Sequence, residues 1–363
     1  MEPVSRASVL GITPYKPGSS GGGHTGRVIK LSSNETPLGS SPEAVAAARA
    51  AAADLSRYPE PGATPLREAL AEAHGMDPSR IVCGNGSDEL LGLLAVAYAG
   101  NGDEVLYSRH GFLMYPIAAR VAGAAPVTAP EADLTVDVEA MLAAATPRAR
   151  VCFVANPNNP TGTALDLAGL RRLREGLPES CLLVIDSAYA EYVEMDGYDD
   201  GRILVDERDD VVMTRTFSKI YGLAGLRLGW AYGPPAVIDV LHRVRGPFNV
   251  NATAQAAGMA SLQDHKFLAR AQAHNRHWRP WLEATLRDLG LGVRPGVANF
   301  VLAEFEQSGR RSAEAAYAHL AGQGIFGRRV AEYGLPHHLR FTVGLEDENL
   351  ALTAALTDFL KDE

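Results

Sequence analysis

Lysine is scarce in this chain. Its 363 residues hold five, at Lys16, Lys30, Lys219, Lys266 and Lys361, and the arginines are spread along the length. With a net charge of −9 and no basic cluster, the sequence argues against nucleic acid as the main partner. An anionic small molecule needs only a local positive site, so that class stays open. Cysteine is scarce too. Cys83, Cys152 and Cys181 form no CxxC pair, and each lies in a short β-like apolar run, where a thiol reads as a small buried hydrophobe. An odd, scattered count fits a reducing compartment. Long apolar runs are missing: none approaches the roughly 20 residues of a membrane span, and Met1 to Leu10 has no apolar core of a secretory signal. The expectation is a soluble cytoplasmic protein with no membrane partner.

What is present is a regular alternation. Residues 1–30 are rich in Gly, Pro and Ser, with GSSGGGHTG at 18–26, and read as an extended arm with a mobile loop. No Gly-Lys-Ser/Thr follows that run, so it is not a phosphate loop. From residue 43, helical stretches (Glu43 to Leu55, Pro65 to His74, Asp88–Ala99, Val138–Ala144, Leu167–Gly176) alternate with short apolar strands. The strands are Ile81–Cys83, Glu104–Tyr107, Ala125–Thr128, Val151–Ala155, Leu182–Asp186, Val211–Thr214 and Leu226–Ala231. That order predicts an α/β fold with a mostly parallel seven-stranded sheet and helices on both faces. Gly246-Pro247 marks a break. Beyond it come a helical region to about residue 289, strands at 300–305, 325–326 and 339–343, and helices at 312–322 and 347–360. The expected division is an arm at 1–35, a large domain at 36–245 and a smaller α+β domain at 246–363.

In an open α/β sheet, ligands sit beyond the carboxyl ends of the strands, so the residues after each strand carry the argument. GNGSDE at 84–89 follows the first strand and opens a helix. Glycines, Ser87 and free backbone N–H groups there suit a single phosphate. A dinucleotide reading is weaker because Glu89 occupies the third glycine of GxGxxG, and a plain turn is the bland alternative. NPNNPTG at 156–162 fixes a rigid turn that presents an Asn amide, or is an ordinary proline turn. Asp186 ends the apolar strand LLVID. A carboxylate there needs a cation, such as a protonated pyridine nitrogen, unless it merely caps the next segment. Tyr189 is three residues on and can point into the same pocket. Lys219 follows a β-branched strand among Thr216, Ser218 and Gly222, with Arg227 eight residues later. A lysine partly desolvated near other cations becomes a nucleophile and base, whereas a surface lysine would do neither. Together these supply a Schiff-base lysine, an acid for a ring nitrogen, donors for a ring hydroxyl and a phosphate cradle, which is what a pyridoxal-phosphate enzyme needs.

NPNNPTG, Asp186-x-Ala-Tyr189 and Ser218-Lys219 with Arg227-x-Gly resemble the fold-type I pyridoxal-phosphate aminotransferases. Adding ITPYKPG at 12–18, LSSNETPLG at 31–39, RYPEPGATPLR at 57–67, GNGSDE, NFVL at 299–302 and LRFTVG at 339–344, the chain more narrowly resembles the histidinol-phosphate aminotransferases from about residue 11 to 345. The resemblance implies that Lys219 carries the cofactor and shuttles a proton, and that Asp186 pairs with the pyridine nitrogen. Tyr189 and Asn159 would bond the ring hydroxyl, and Phe112 would stack on the ring. Ser87, Asp88, Thr216, Ser218 and Arg227 would hold the phosphate, with Gly86 giving room by its backbone. Tyr58 would reach the phosphate of a neighbouring subunit, implying a homodimer. Arg340 would bind the substrate anion, with Arg328, Tyr15, Asn34 and Asn159 near it. SRHGFLMY at 108–115 lacks the family's Pro-Thr, which leaves His110 as an alternative stacker, and Arg329 competes with Arg328.

The implied reaction is amino transfer from L-histidinol phosphate to 2-oxoglutarate, giving imidazole acetol phosphate and L-glutamate in histidine biosynthesis. The alternatives are an aromatic amino-acid or dual-specificity aminotransferase, and a threonine-phosphate decarboxylase. A pyridoxal-phosphate-binding regulator would carry an added DNA-binding domain, and the arm is too short for one. A NAD-dependent oxidoreductase is disfavoured by the missing third glycine.

Overall fold

The computed structural model describes residues 3–361. Seven strands form the main sheet: β1 (Ile81–Gly84), β2 (Glu104–Ser108), β3 (Ala125–Ala129), β4 (Ala149–Ala155), β5 (Leu182–Asp186), β6 (Val211–Thr216) and β7 (Gly229–Tyr232). Their order is β1-β7-β6-β5-β4-β2-β3. β7 runs antiparallel to both neighbours and the other pairs are parallel. The predicted mostly parallel seven-stranded sheet is therefore present. β5 is wholly buried, as a near-continuous apolar run requires when helices cover both faces. Helices start where the sequence offers a side-chain acceptor. Asp166 accepts from Gly169 N at 2.7 Å and opens Leu167–Gly176, and Asn251 does the same for Ala252–Gln263 from Ala254 N.

Several elements depart from the sequence reading. The last strand begins at Gly229, not Leu226, because Ala224–Leu226 is a 3-10 turn and Arg227 is left-handed at φ 55°. The arm contains one helical turn, Ala7–Leu10, where no Gly or Pro interrupts the chain. Helices Met114–Ala122 and Pro235–Val244 are additional. All three cysteines are buried and unpaired.

A second sheet has the order 292–293, 300–304, 338–342, 328–329, all antiparallel. The arm is tied to this region: Ile29–Lys30 pairs in parallel with Ile325–Phe326, and Leu31 is buried in the same core. Gly246-Pro247 separates two helices that both pack with the main sheet, since Val237, Ile238, Ala254 and Ala257 are buried in its two flanking cores. The passage between cores lies instead within the helix His265–Asp288. Its Phe267 and Ala271 belong to the large core and its Leu282 and Leu286 to the small one.

Candidate active site

The carboxyl ends of β4, β5 and β6 open into a cleft walled on the far side by the arm and the small sheet. Of the residues expected at the site, Tyr15, Asn34, Ser87, Asp88, Phe112, Asn159, Asp186, Tyr189, Thr216, Ser218, Lys219, Arg227, Arg328 and Arg340 line it. Two do not. Gly86 lies just behind the wall, and Tyr58 is 81% exposed, stacked on Phe248 with ring centroids 4.5 Å apart. His110 is turned away, its Nδ1 held 2.8 Å from Glu131 Oε2, so of these two candidates it is Phe112 that lines the cleft.

One end of the cleft is built for an anion. Helix Ser87–Tyr98 begins after Gly86, which has φ 85° and no side chain to cap the first turn, so the leading N–H groups are free. A Cβ at Gly86 would sit 2.6 Å from Arg227 Nη2. The left-handed backbone of Arg227 aims its guanidinium at the same spot, within 3.4 Å of Ser218 Oγ and 3.3 Å of Asp88 Oδ2. β7 presses in from below: a Cβ at Gly229 would lie 2.3 Å from Ser87 N.

Lys219 Nζ donates to the carbonyl of Ser33 at 3.2 Å and lies 5.7 Å from the centre of the Tyr189 ring. Burial, then the positive charge of Arg340, lowers its pKa from 10.5 to about 8. Asp186 is buried at the end of β5. Tyr115 Oη donates to its Oδ2 at 3.0 Å and Thr214 Oγ1 to its Oδ1 at 3.3 Å. Burial still pushes its pKa up to about 6, against those two hydroxyls, so a cationic partner is what this carboxylate lacks. Tyr115 and Thr214 were missed by the sequence reading, because each occupies an apolar-pattern position that reads as core. The only signal was a polar tip in a buried place.

At the other end, Arg328 and Arg340 face each other across two antiparallel strands of the small sheet, on one face. Arg340 donates to Asn159 Oδ1 and to Ser32 O, and its Nε is buried with no hydrogen-bond partner among the described residues. Arg328 donates to Lys16 O at 2.8 Å and lies over Tyr15. Arg329 points the other way, to Glu314. Glu332 Oε2 lies 3.7 Å from Arg328 Nη2 and offsets part of the charge, and the two guanidiniums opposed on one face still leave a positive patch that suits an anion. Among the described residues, no cluster of His, Cys, Asp or Glu is arranged to hold a metal, and no helix is long and apolar enough to cross a membrane.

The family model "Aminotransferase class I and II" matches residues 26–355. The chain belongs to the class I and II aminotransferases. Within that family it is 54% identical over 359 residues to a histidinol-phosphate aminotransferase of Rhodospirillum centenum, covering 99% of each chain. It is also 54% identical over 356 residues to one of Maricaulis maris, covering 98% of each. Among solved structures, the histidinol-phosphate aminotransferase of Sinorhizobium meliloti in complex with pyridoxal-5'-phosphate matches with a TM-score of 0.85 at 31% identity, over 92% of this chain and 91% of that one. The donor set of this aminotransferase fits that cofactor: an anion cradle, an aromatic wall at Phe112, a carboxylate lacking a cation, and a lysine with a depressed pKa, in one cleft.

Proposed function

We propose that this chain is a pyridoxal-phosphate-dependent transaminase acting on L-histidinol phosphate and 2-oxoglutarate, in histidine biosynthesis. The observation that carries the substrate assignment is the 54% identity, over nearly the whole of each chain, to histidinol-phosphate aminotransferases; the opposed pair Arg328 and Arg340, with a partnerless buried Nε on Arg340, is compatible with it. Histidinol phosphate brings a phosphate and glutamate brings carboxylates. A planar guanidinium bonds either in a bidentate manner.

The residues divide the work by position. Ser87, Asp88, Thr216, Ser218 and Arg227, with the backbone around Gly86, hold the cofactor phosphate. Phe112 packs on the ring, Asp186 keeps the ring nitrogen protonated, and Tyr189 and Asn159 bond the ring hydroxyl. Bound there, pyridoxal phosphate supplies an electron sink for charge developing at the substrate Cα. Lys219 would anchor it and, once the incoming substrate amine has released its side chain, its neutral amine would take the substrate Cα proton as general base and deliver the same proton to the cofactor's C4′ carbon as general acid. Arg340, Arg328 and Tyr15 orient the anionic end of the substrate, and Asn34 completes the wall.

We place the active form as a cytoplasmic homodimer in which Tyr58 serves the partner's phosphate site. Its 81% exposure on the single chain supports an intermolecular role, and three free thiols support a reducing compartment. A substrate panel tests the reading. Purified protein is given histidinol phosphate, Phe, Tyr or phosphothreonine with 2-oxoglutarate, and glutamate and CO2 are followed. Histidinol phosphate is expected to have the highest kcat/KM. If Phe or Tyr is turned over at least as efficiently, the aromatic reading replaces this one, and CO2 from phosphothreonine would indicate the decarboxylase.

A further inference from the structure

Asn34 lies at the junction of the arm, the small sheet and the cleft, with a left-handed backbone at φ 57°. It is 1% exposed. Every polar group it carries is engaged. Its N–H donates to Thr342 Oγ1 at 2.9 Å, and its carbonyl accepts from Asn299 Nδ2 at 3.0 Å. The Thr342 hydroxyl donates back to Asn34 Oδ1 at 3.2 Å, and Asn34 Nδ2 lies 2.9 Å from Tyr189 Oη. These contacts fix where the protons are. Thr342 Oγ1 already accepts from a backbone N–H, so its own proton turns to the amide, and the amide end that takes it must be oxygen. A flipped amide would set two donors against each other. The NH2 end therefore faces Tyr189, whose hydroxyl oxygen must accept. The Tyr189 proton is left over, and among the described residues no carbonyl or carboxylate receives it. It is free to turn into the cleft, which Tyr189 lines.

We propose that Asn34 and Thr342 are positioning residues that hold Tyr189 as a hydrogen-bond donor toward the ring hydroxyl oxygen of the bound cofactor. This rests on the cofactor reading above, and moves Asn34 from a substrate contact to a support for Tyr189. The strand 338–342 thus reaches the cleft twice, through Arg340 for the substrate and through Thr342 for the tyrosine. Without the amide, Tyr189 is free to turn its proton elsewhere. The cofactor oxygen then loses a donor and its affinity for a proton rises.

The test is a pH titration of the visible absorption band of the holoenzyme, with thermal melting of the apoprotein as a control for fold. Asn34→Gly suits a left-handed backbone while removing the amide. It is expected to raise the apparent pKa of the band by about one unit, a tenfold change. Thr342→Val frees the amide to flip and is expected to shift the band the same way by a smaller amount. Thr342→Ser keeps the hydroxyl and should titrate like the wild type. A purely structural role would lower the melting temperature and leave the titration in place. The proposal is overturned if Asn34→Gly and Thr342→Val bind cofactor and titrate with the wild type, or if Thr342→Ser shifts as far as Thr342→Val. Should Asn34→Gly fail to fold, the two threonine variants decide. A wild-type protein that develops no visible band with added pyridoxal phosphate overturns the cofactor reading and this one together.

Discussion

The amine of Lys219 should capture pyridoxal phosphate at neutral pH far faster than an ordinary lysine would. Its pKa falls from 10.5 to about 8, chiefly through burial and then through Arg340. At pH 7 the neutral, nucleophilic fraction is then about one in ten, against about one in 3,000 for an unperturbed amine, a gain of about 300-fold. The assay mixes apoprotein with pyridoxal phosphate in a stopped-flow instrument and follows the visible band from pH 6 to 10.5. The capture rate should rise with a midpoint near 8 and level off above it. Arg340→Met removes the second cause of the shift and should move the midpoint upward. The sign for stability follows from the same depression. Between pH 8 and 10.5 the unfolded chain binds the extra proton, so the apoprotein should gain stability with rising pH across that window, and the cost of burying the amine is fully present below it. A capture rate that climbs without a break toward pH 10.5 would refute the depressed pKa and the burial argument behind it.

Two further outcomes are expected. Lys219→Ala should abolish turnover while circular dichroism and melting remain near those of the wild type, since the side chain meets solvent in the cleft rather than filling a core; normal activity in that variant would remove the lysine from the mechanism. Gly86→Ala should push Arg227 off the anion cradle, because the new methyl would meet its guanidinium at 2.6 Å, and should weaken pyridoxal-phosphate binding by about tenfold or more; equilibrium titration of the apoprotein reads this directly.

Much of the cleft was legible along the chain because α/β sheets put ligands at strand ends. Reading outward from Cys83, Ala155 and Asp186 meets Ser87, Asn159 and Tyr189 within a few residues. The strand containing Arg328 and Arg329 shows the limit. Adjacent residues on a strand point to opposite faces, so only one arginine can face the site. Which one depends on register with Arg340, a pairing that no local pattern reports. The Asn34–Thr342 contact spans 308 positions and left no periodic trace. Tyr115 and Thr214 hid within hydrophobic patterning because their rings and methyls pack as core while their hydroxyls serve Asp186. The reversed direction of β7 was equally silent, since a four-residue apolar strand reads the same in either direction.

The helix His265–Asp288 has a practical consequence for engineering. Anyone grafting the C-terminal unit of a relative onto this scaffold must place the seam inside an unbroken helix. A junction at Gly246-Pro247 would carry foreign side chains at Ala254, Ala257 and Phe267 into the recipient's main core, so those positions have to be restored before the chimera can be expected to pack.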